Sequence, residues 1–275
     1  MIQRYMRTAV TFILVFFSFS VAAQRNLRIF TEKENDVTVF YASNEEYCPV
    51  SVEITLTRDN LSTTGFSDGV FVVPEYAQRF RLFSLTGIRP RRKTSYSYTY
   101  RAVFGDVKQV SYDSVFRYDL PFKKGAKYRI EQGYNGRFTH LGENSLDFNL
   151  PERSQVRAAR EGVVIDVVQS FTATCLREDC KAMANHILIY HADGTIAEYS
   201  HLAFNGARVA VGDSVNKGDL IALSGSTGYA RGPHLHFICY LPGFGSPRSV
   251  KTKFRTGKGA TAAYLVENSV YQKNY

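Results

Sequence analysis

Two histidines separated by one residue, His234 and His236, are the first candidates for chemistry in this sequence. Side chains two apart on a β-strand project from the same face, so both imidazoles would point into one site. Imidazole is a frequent zinc ligand, and a catalytic zinc keeps three protein ligands and one open position. The pair therefore predicts a metal site whose remaining ligand and acid–base groups come from elsewhere in the chain.

Three further candidates, His140, Asp147 and His201, also lie in the second half of the chain. Two histidines and one carboxylate can hold zinc, which lowers the pKa of its bound water and polarises a carbonyl. Two additional histidines can transfer protons and support the charge that develops on a tetrahedral intermediate. We interpret His186 and His191 as residues with a structural role, because a lone histidine on a strand is usually a core or surface residue.

The elements that must position these residues are short and rich in β-forming side chains. Tyr and Phe are abundant, Trp is absent, and helical periodicity is scarce, so the chain is predicted to be mostly β. In the first half we predict strands at 37–41, 50–56, 78–85 and 95–104. In the second half we predict strands at 162–168, 186–190, 195–201 and 220–224, with a hairpin turn at Ala192-Asp193-Gly194.

The composition changes after a Pro-, Lys- and Gly-containing linker at 117–125. Residues 24–120 are predicted to form an accessory immunoglobulin-like β-sandwich, since turn residues separate their strands at the intervals typical of that fold. Residues 126–249 are predicted to form a second β-rich domain that carries the candidate metal ligands. Residues 250–275 are interpreted as a tail without assigned structure.

Residues 1–23 have the pattern of a secretory signal peptide. Arg4 and Arg7 precede an apolar run at 9–19, and Val21-Ala22-Ala23 offers small residues for cleavage. An uncleaved membrane anchor is the alternative, although the apolar run is short for a bilayer. The pattern predicts export to the periplasm or the exterior, and no later run is long enough for a transmembrane helix.

The formal net charge of +9 suits an anionic partner such as a cell-wall polymer, or a membrane surface. No basic stripe with stacking aromatics indicates nucleic-acid binding. In an oxidising compartment Cys175 and Cys180 are expected to close a small disulfide loop. A bridge between Cys48 and Cys239 is left open, and Cys239 is interpreted as a buried apolar residue.

From His140 to Phe237 the sequence resembles the lysostaphin-type zinc endopeptidases, which cut peptide cross-links in bacterial peptidoglycan. The resemblance covers about a third of the chain and depends on a series of motifs in the family's order. These are Asp147-Phe-Asn-Leu-Pro151, Val156-Arg-Ala158, Gly162-Val-Val164, Asn185 to Gly194, Tyr199-Ser-His-Leu202, Val209 to Gly218, and Gly225 to Phe237 with Gly-Pro-His-Leu-His-Phe.

The resemblance implies that residues 126–249 form the zinc peptidase domain, an antiparallel sheet with a groove above it and the metal at the floor. It also implies a role for each candidate. His140, Asp147 and His236 would ligate Zn²⁺, and His201 and His234 would be the catalytic pair. Tyr134 could help to stabilise the intermediate, although simple packing also accounts for it.

One spacing departs from the commonest family pattern. Six residues separate His140 from Asp147, where the family usually has three, so Glu143 is a rival ligand. The related zinc enzymes that act on D-Ala-D-Ala have such a gap together with Glu-x-x-His, which Glu198-Tyr-Ser-His201 supplies superficially. In a regular strand, however, Glu198 and His201 would face opposite sides.

The sequence therefore predicts an exported zinc endopeptidase that hydrolyses peptide stems or cross-links of peptidoglycan through a metal-activated water. Two alternatives stay open: a non-catalytic wall-binding or regulatory module on the same fold, and a D-Ala-D-Ala carboxypeptidase. Peptidoglycan is the predicted partner, with no nucleic acid and no stable membrane insertion after signal cleavage. The sequence does not indicate an oligomeric state.

Overall fold

A computed structural model describes residues 26–245 and 247–275. The predicted signal peptide lies outside the described residues. Within the described part of the chain, no helix combines the length and the apolar character needed to cross a membrane.

The first part of the described chain is a sandwich of two antiparallel sheets. Its strands are β1 (Leu27–Glu34), β2 (Val37–Asn44), β3 (Val50–Asp59), β4 (Leu61–Thr64), β5 (Val70–Val73), β6 (Phe80–Gly87) and β7 (Ser95–Phe104). One sheet has the order β1-β2-β6-β4 and the other the order β5-β3-β7. Phe40, Val52 and Phe83 are buried between them, as the alternation of apolar residues in β3 predicts.

The remaining strands build the second part. They are β8 (Arg117–Tyr118), β9 (Lys127–Gln132), β10 (Ser145–Phe148), β11 (Gln155–Arg157), β12 (Gly162–Val168), β13 (Thr174–Cys175), β14 (His186–Tyr190), β15 (Ile196–Ser200), β16 (Leu202–Ala207), β17 (Ser214–Val215), β18 (Leu220–Ser224), β19 (Gly228–Tyr229), β20 (Leu235–Leu241), β21 (Arg248–Ser249), β22 (Lys253–Thr256), β23 (Thr261–Ala263) and β24 (Val270–Gln272). One short 3₁₀ helix spans Glu178–Met183.

A large antiparallel sheet dominates this second part, with the order β17-β12-β14-β15-β20-β10-β9-β24 and with β21 paired to β20. One face of this sheet packs against the smaller sheet β11-β18-β16. Phe148, Tyr199 and Phe237 fill the space between the two sheets and are fully or almost fully buried. This core fixes the strands that carry the candidate site residues.

The opposite face of the large sheet is divided between two environments. At one end, Leu188 and Ile196 are buried in the same apolar cluster as the core of the N-terminal sandwich. At the other end, the alternation of β15 and β20 turns Glu198, Ser200 and His236 toward an open cleft. The N-terminal sandwich thus covers part of the face that carries the cleft.

Residues 250–275 contain three short strands, β22, β23 and β24. Strand β22 pairs in parallel with β8, and β24 pairs with β9 at the edge of the large sheet. Phe254 is fully buried against Phe148 and Phe237. The segment therefore belongs to the core of the second part, although its short strands have no clear alternation in sequence.

The mostly β fold class predicted from the sequence is confirmed, with antiparallel sheets in both parts. The eight predicted strands are present, and Ala192-Asp193-Gly194 lies in the loop of the β14–β15 hairpin. The predicted disulfide joins Cys175 to Cys180. Cys48 and Cys239 are separate, buried thiols. The domain boundaries proposed from the sequence stay a prediction.

A buried ion pair ties the β14–β15 turn to the rest of the second part. The Asp193 carboxylate accepts hydrogen bonds from Arg160, from Thr195 and from the backbone N–H of Asp113. Burial by itself would raise the pKa of Asp193, but the bonds from Thr195 and Arg160 outweigh it and lower the pKa to about 2. The neighbouring His191 is fully buried, and burial followed by the Arg160 charge lowers its pKa to about 4.

These shifts predict that the protein loses stability in acid. A group whose pKa is lowered on folding stabilises the native state above its unfolded pKa, and this contribution disappears as the pH falls. We expect Asp193→Asn to lower the free energy of unfolding by on the order of 2 kcal/mol at pH 7. The deficit relative to wild type should shrink between about pH 4 and pH 2, as wild-type Asp193 takes up a proton.

Urea unfolding at several pH values measures this difference. Asp59→Asn is the matched control, because Asp59 pairs with Arg92 at the exposed surface and should contribute well under about 1 kcal/mol. Equal losses in the two variants would contradict the prediction.

Candidate metal centre

The centre of the candidate site is a cross-strand pair. Asp147 in β10 lies directly opposite His236 in β20, so both side chains leave the sheet on the same face. Asp147 Oδ1 lies 2.9 Å from His236 Nδ1. Leu146, Phe148, Leu235 and Phe237, the neighbours of this pair along the two strands, point into the core and fix its position.

His140 reaches this pair from a turn between β9 and β10. The backbone N–H of Glu143 donates to the His140 carbonyl, which closes the turn and accommodates the long spacing to Asp147. The His140 side chain is only 1% exposed, and its Nε2 lies 3.2 Å from Asp147 Oδ1. Its Nδ1 is 3.1 Å from the Gly133 carbonyl, which it contacts as a hydrogen-bond donor.

This arrangement fits a divalent metal. One nitrogen from each of His140 and His236 and one Asp147 oxygen all lie within 4.8 Å of one another. His140 Nε2 is buried and has no hydrogen-bond partner, an arrangement that costs free energy unless a ligand satisfies it. Two imidazoles and one carboxylate are a donor set that zinc accepts with an open position.

Asp147 carries the negative charge that such a cation requires. Burial by itself would raise its pKa, but the close contacts with the His140 and His236 imidazoles outweigh burial and hold the pKa well below its usual range. Burial would lower the pKa of His236, but the hydrogen bond to Asp147 outweighs burial and raises it. The carboxylate therefore stays ionised at neutral pH.

A second cluster, Cys175, Asp179 and Cys180, also brings potential ligand atoms together. Its two sulfurs are joined in the disulfide and offer no thiolate, so we do not assign a metal to it.

His234 and His201 lie beside the candidate ligands. His234 Nε2 is 3.9 Å from Asp147 Oδ1, and the rings of His201 and His234 are 4.5 Å apart. The Nδ1 of His201 contacts the Thr227 carbonyl at 2.7 Å, and that of His234 contacts the Gly232 carbonyl at 2.8 Å. Each bond fixes the ring and leaves Nε2 as the nitrogen available to a ligand.

Gly225 holds these two histidines together. Its N–H donates to the His201 carbonyl, and its carbonyl accepts from the His234 N–H. A side chain at this position would place a Cβ only 2.6 Å from the Ala203 nitrogen. The close backbone approach explains the need for glycine here.

The backbone at His201 corrects one argument made from the sequence. Strict alternation would send His201 to the face opposite Glu198, but His201 has a φ of +61° at the end of β15. This left-handed conformation turns the imidazole back, and both His201 and Glu198 line the cleft. Burial, followed by the charges of His234 and His236, lowers the pKa of His201 to about 3.

Two other sequence-based candidates occupy different positions. Glu143 lines the cleft but is not part of the group formed by His140, Asp147 and His236. Tyr134 is not brought to the site: its hydroxyl donates to the Thr252 carbonyl at 2.7 Å, and its ring packs against Tyr264. These contacts give Tyr134 a packing role that the spacing to His140 does not reveal.

We therefore expect Tyr134→Phe to leave turnover within about twofold of wild type. The lost hydrogen bond to Thr252 should lower the free energy of unfolding by about 1 kcal/mol. Steady-state kinetics and urea unfolding of the same preparation measure both effects. A fall in turnover of a hundredfold or more would return Tyr134 to the catalytic group.

The site lies in a cleft of about 860 Å³. Its lining includes Phe138, His140 and Glu143 from the loop before β10, Leu176 and Lys181 near the disulfide, and Glu198 and Ser200 from β15. Phe138 and Arg231 also line the cleft and contact each other, a pairing that sequence reasoning missed. No spacing signal could have found it, because the two residues are far apart in the chain.

Comparison with known proteins assigns this domain to a family. Residues 142–244 match the model described as Peptidase family M23. Residues 142–244 are thus similar to the M23 peptidases. The matched segment begins just after His140 and contains Asp147, His201, His234 and His236. The family and the enzyme class predicted from the sequence, a metallopeptidase, are therefore confirmed.

Two curated relatives illustrate how far the similarity to this M23 domain extends. An uncharacterized metalloprotease of Buchnera aphidicola subsp. Baizongia pistaciae is 32% identical over 163 residues, which are 57% of this chain and 39% of that protein. Peptidoglycan DD-endopeptidase ShyA of Vibrio cholerae is 28% identical over 137 residues, 48% of this chain and 29% of ShyA. The chain thus matches well under half of the length of either relative.

Among solved structures, the catalytic domain of the antimicrobial peptidase lysostaphin from Staphylococcus simulans is 26% identical in sequence. The match covers 45% of this chain and 87% of that domain, with a TM-score of 0.35.

Proposed function

We propose that this protein is an exported, zinc-dependent endopeptidase that hydrolyses peptide stems or cross-links of bacterial peptidoglycan. The observation that carries the proposal is the orphaned Nε2 of buried His140, next to Asp147 and His236 and in the same cleft as two further histidines. The M23 family match and the similarity to a peptidoglycan endopeptidase support the substrate class.

His140, Asp147 and His236 are the residues that would hold the ion. When bound, zinc supplies Lewis-acid polarisation of a substrate carbonyl and brings the pKa of a water molecule close to neutrality. The ionised Asp147 carboxylate, 2.9 Å from His236 Nδ1, would offset part of the charge of the ion.

His201 and His234 are the proposed proton-transfer groups. The backbone carbonyls of Thr227 and Gly232 hold their Nδ1 atoms, so each ring can accept or donate a proton only at Nε2. His234 Nε2 faces the Asp147 side of the cleft, and the His201 ring lies next to it. This geometry supports the proposal that the two histidines take a proton from the attacking water and deliver one to the leaving amine.

A D-Ala-D-Ala carboxypeptidase is the second candidate. The turn at His201 favours it, because Glu198 and His201 line one cleft instead of facing opposite sides of the sheet. The non-catalytic module is less well supported, since the chain retains a complete set of candidate ligands.

Digestion of purified sacculi by the zinc-loaded protein tests the proposal, with mass spectrometry of the released muropeptides. Endopeptidase activity predicts that cross-linked dimers are split, and chelation should stop the reaction. Loss of single terminal residues would support the carboxypeptidase instead. Sacculi that bind the zinc-loaded protein but stay intact would overturn both enzymatic functions.

A further inference from the structure

The mouth of the cleft contains an arginine stacked on an aromatic ring. The Cζ of Arg231 lies 4.0 Å from the centroid of the Phe138 ring, well within the range of a cation–π contact. The two residues come from different loops that line the cleft, and both are exposed. Phe138 retains 53% of its accessible surface.

Arg231 makes no ion pair with a carboxylate among the described residues. The other cation that lines the cleft, Lys181, is bound to Glu178 at 2.8 Å. Three glutamates, Glu131, Glu143 and Glu198, share the cleft with Arg231, yet none forms an ion pair with it among the described residues. The guanidinium is therefore held by the ring alone.

Stacking occupies the face of a guanidinium and leaves its edge unused. The N–H groups of arginine all lie in the plane of the group, where they match the two oxygens of a carboxylate. A guanidinium fixed in one orientation loses less entropy when it forms such a pair. Arg231 on Phe138 therefore has the form of a prepared carboxylate receptor.

The positions of both residues relate this receptor to the reacting centre. Arg231 precedes His234 by three residues, and Phe138 precedes His140 by two. All four residues line the same cleft, so a substrate carboxylate bound at Arg231 would lie in the cleft that holds the scissile amide. Peptides with free carboxylates close to the bond that is cut would be selected over amidated ones.

We infer that Arg231 binds a carboxylate of the substrate peptide near the scissile amide, and that Phe138 is the positioning residue for the guanidinium. This inference rests on the proposed peptidase function and specifies its substrate class. The carboxylate has two chemical sources: the C-terminus of the peptide, or an internal residue that carries a free carboxyl group.

The test compares three cross-linked peptides that differ only in amidation: fully free, amidated at the C-terminus, and amidated at the internal carboxyl groups. Wild type, Arg231→Ala, Arg231→Lys and Phe138→Leu are measured with each peptide. Arg137→Ala is the matched control, because it removes an exposed arginine next to Phe138 that does not line the cleft.

Amidation of the recognised carboxylate should raise the KM of wild type by roughly ten- to a hundredfold, with little change in kcat. With the free peptide, the KM of Arg231→Ala should exceed that of wild type by the same factor. Amidation of the recognised carboxylate should not raise the KM of Arg231→Ala any further. Arg231→Lys should recover only part of the loss, since lysine lacks the planar pair of donors. Phe138→Leu should raise KM less than Arg231→Ala, and Arg137→Ala should resemble wild type.

The amidation that raises KM identifies the source of the carboxylate. Equal KM values for Arg231→Ala and wild type with the free peptide would overturn the inference. A KM of Arg231→Ala that stays above the wild-type value with every amidated peptide would also overturn it. The dissociation constants of the same peptides for metal-free protein provide a second readout. If no peptide is cleaved, the proposed function fails, and these constants still decide whether Arg231 distinguishes free from amidated peptides.

Discussion

Replacement of Asp147 by alanine is expected to abolish zinc binding and peptidase activity together. The carboxylate is the only acidic member of the candidate ligand group, and it contacts both His140 and His236. Loss of an outer-sphere partner of a metal ligand typically weakens binding 10- to 100-fold, so loss of a ligand should cost at least about a hundredfold in zinc affinity. Elemental analysis after dialysis against a zinc buffer measures the stoichiometry directly.

Asp166→Asn is the matched control for this experiment. Asp166 contacts His186 at 3.2 Å on the same sheet, but neither residue belongs to the ligand group. The control should retain one zinc per chain and most of the activity. Retention of stoichiometric zinc by Asp147→Ala would show that another acid, with Glu143 the nearest candidate in sequence, supplies the ligand.

Replacement of His234 or His201 by alanine is expected to separate metal binding from catalysis. Both variants should keep one zinc per chain, because neither histidine belongs to the candidate ligand group. Turnover should fall by about 10²- to 10⁴-fold, the usual contribution of a positioned acid or base. Steady-state kinetics on a defined cross-linked peptide, with metal content measured on the same sample, makes the separation visible.

His186→Ala is the control, because His186 lies on the adjacent strand β14 and contacts Asp166 and not the ligands. It should keep both zinc and turnover. If His234→Ala loses its zinc, His234 is a ligand, and its distance of 3.9 Å from Asp147 Oδ1 would need to shorten on metal binding. If both histidine variants keep full turnover, the proposed proton transfer is wrong.

Much of this molecule follows from local patterns in the chain. Alternation along 234–236, at the start of β20, predicts that His234 and His236 share a face, because side chains two apart in extended chain project the same way. The strands 95–104, 162–168, 186–190 and 220–224 have the same bounds in the sequence-based prediction and in the structure. Gly-Pro-His-Leu-His-Phe and the other ordered motifs indicate the family, since they encode the turns and strands that carry the site.

The sequence by itself thus determined the β architecture and the residue types that could bind a metal. The tertiary structure alone decided how several of them are used. His201 reaches the cleft because of a positive φ at the end of β15, which alternation does not anticipate. Tyr134 turns to Thr252, and residues 250–275 join the core, through contacts with distant strands. Arg231 meets Phe138 only after two loops converge, since contacts between remote segments depend on the packing of the whole sheet and not on any local period.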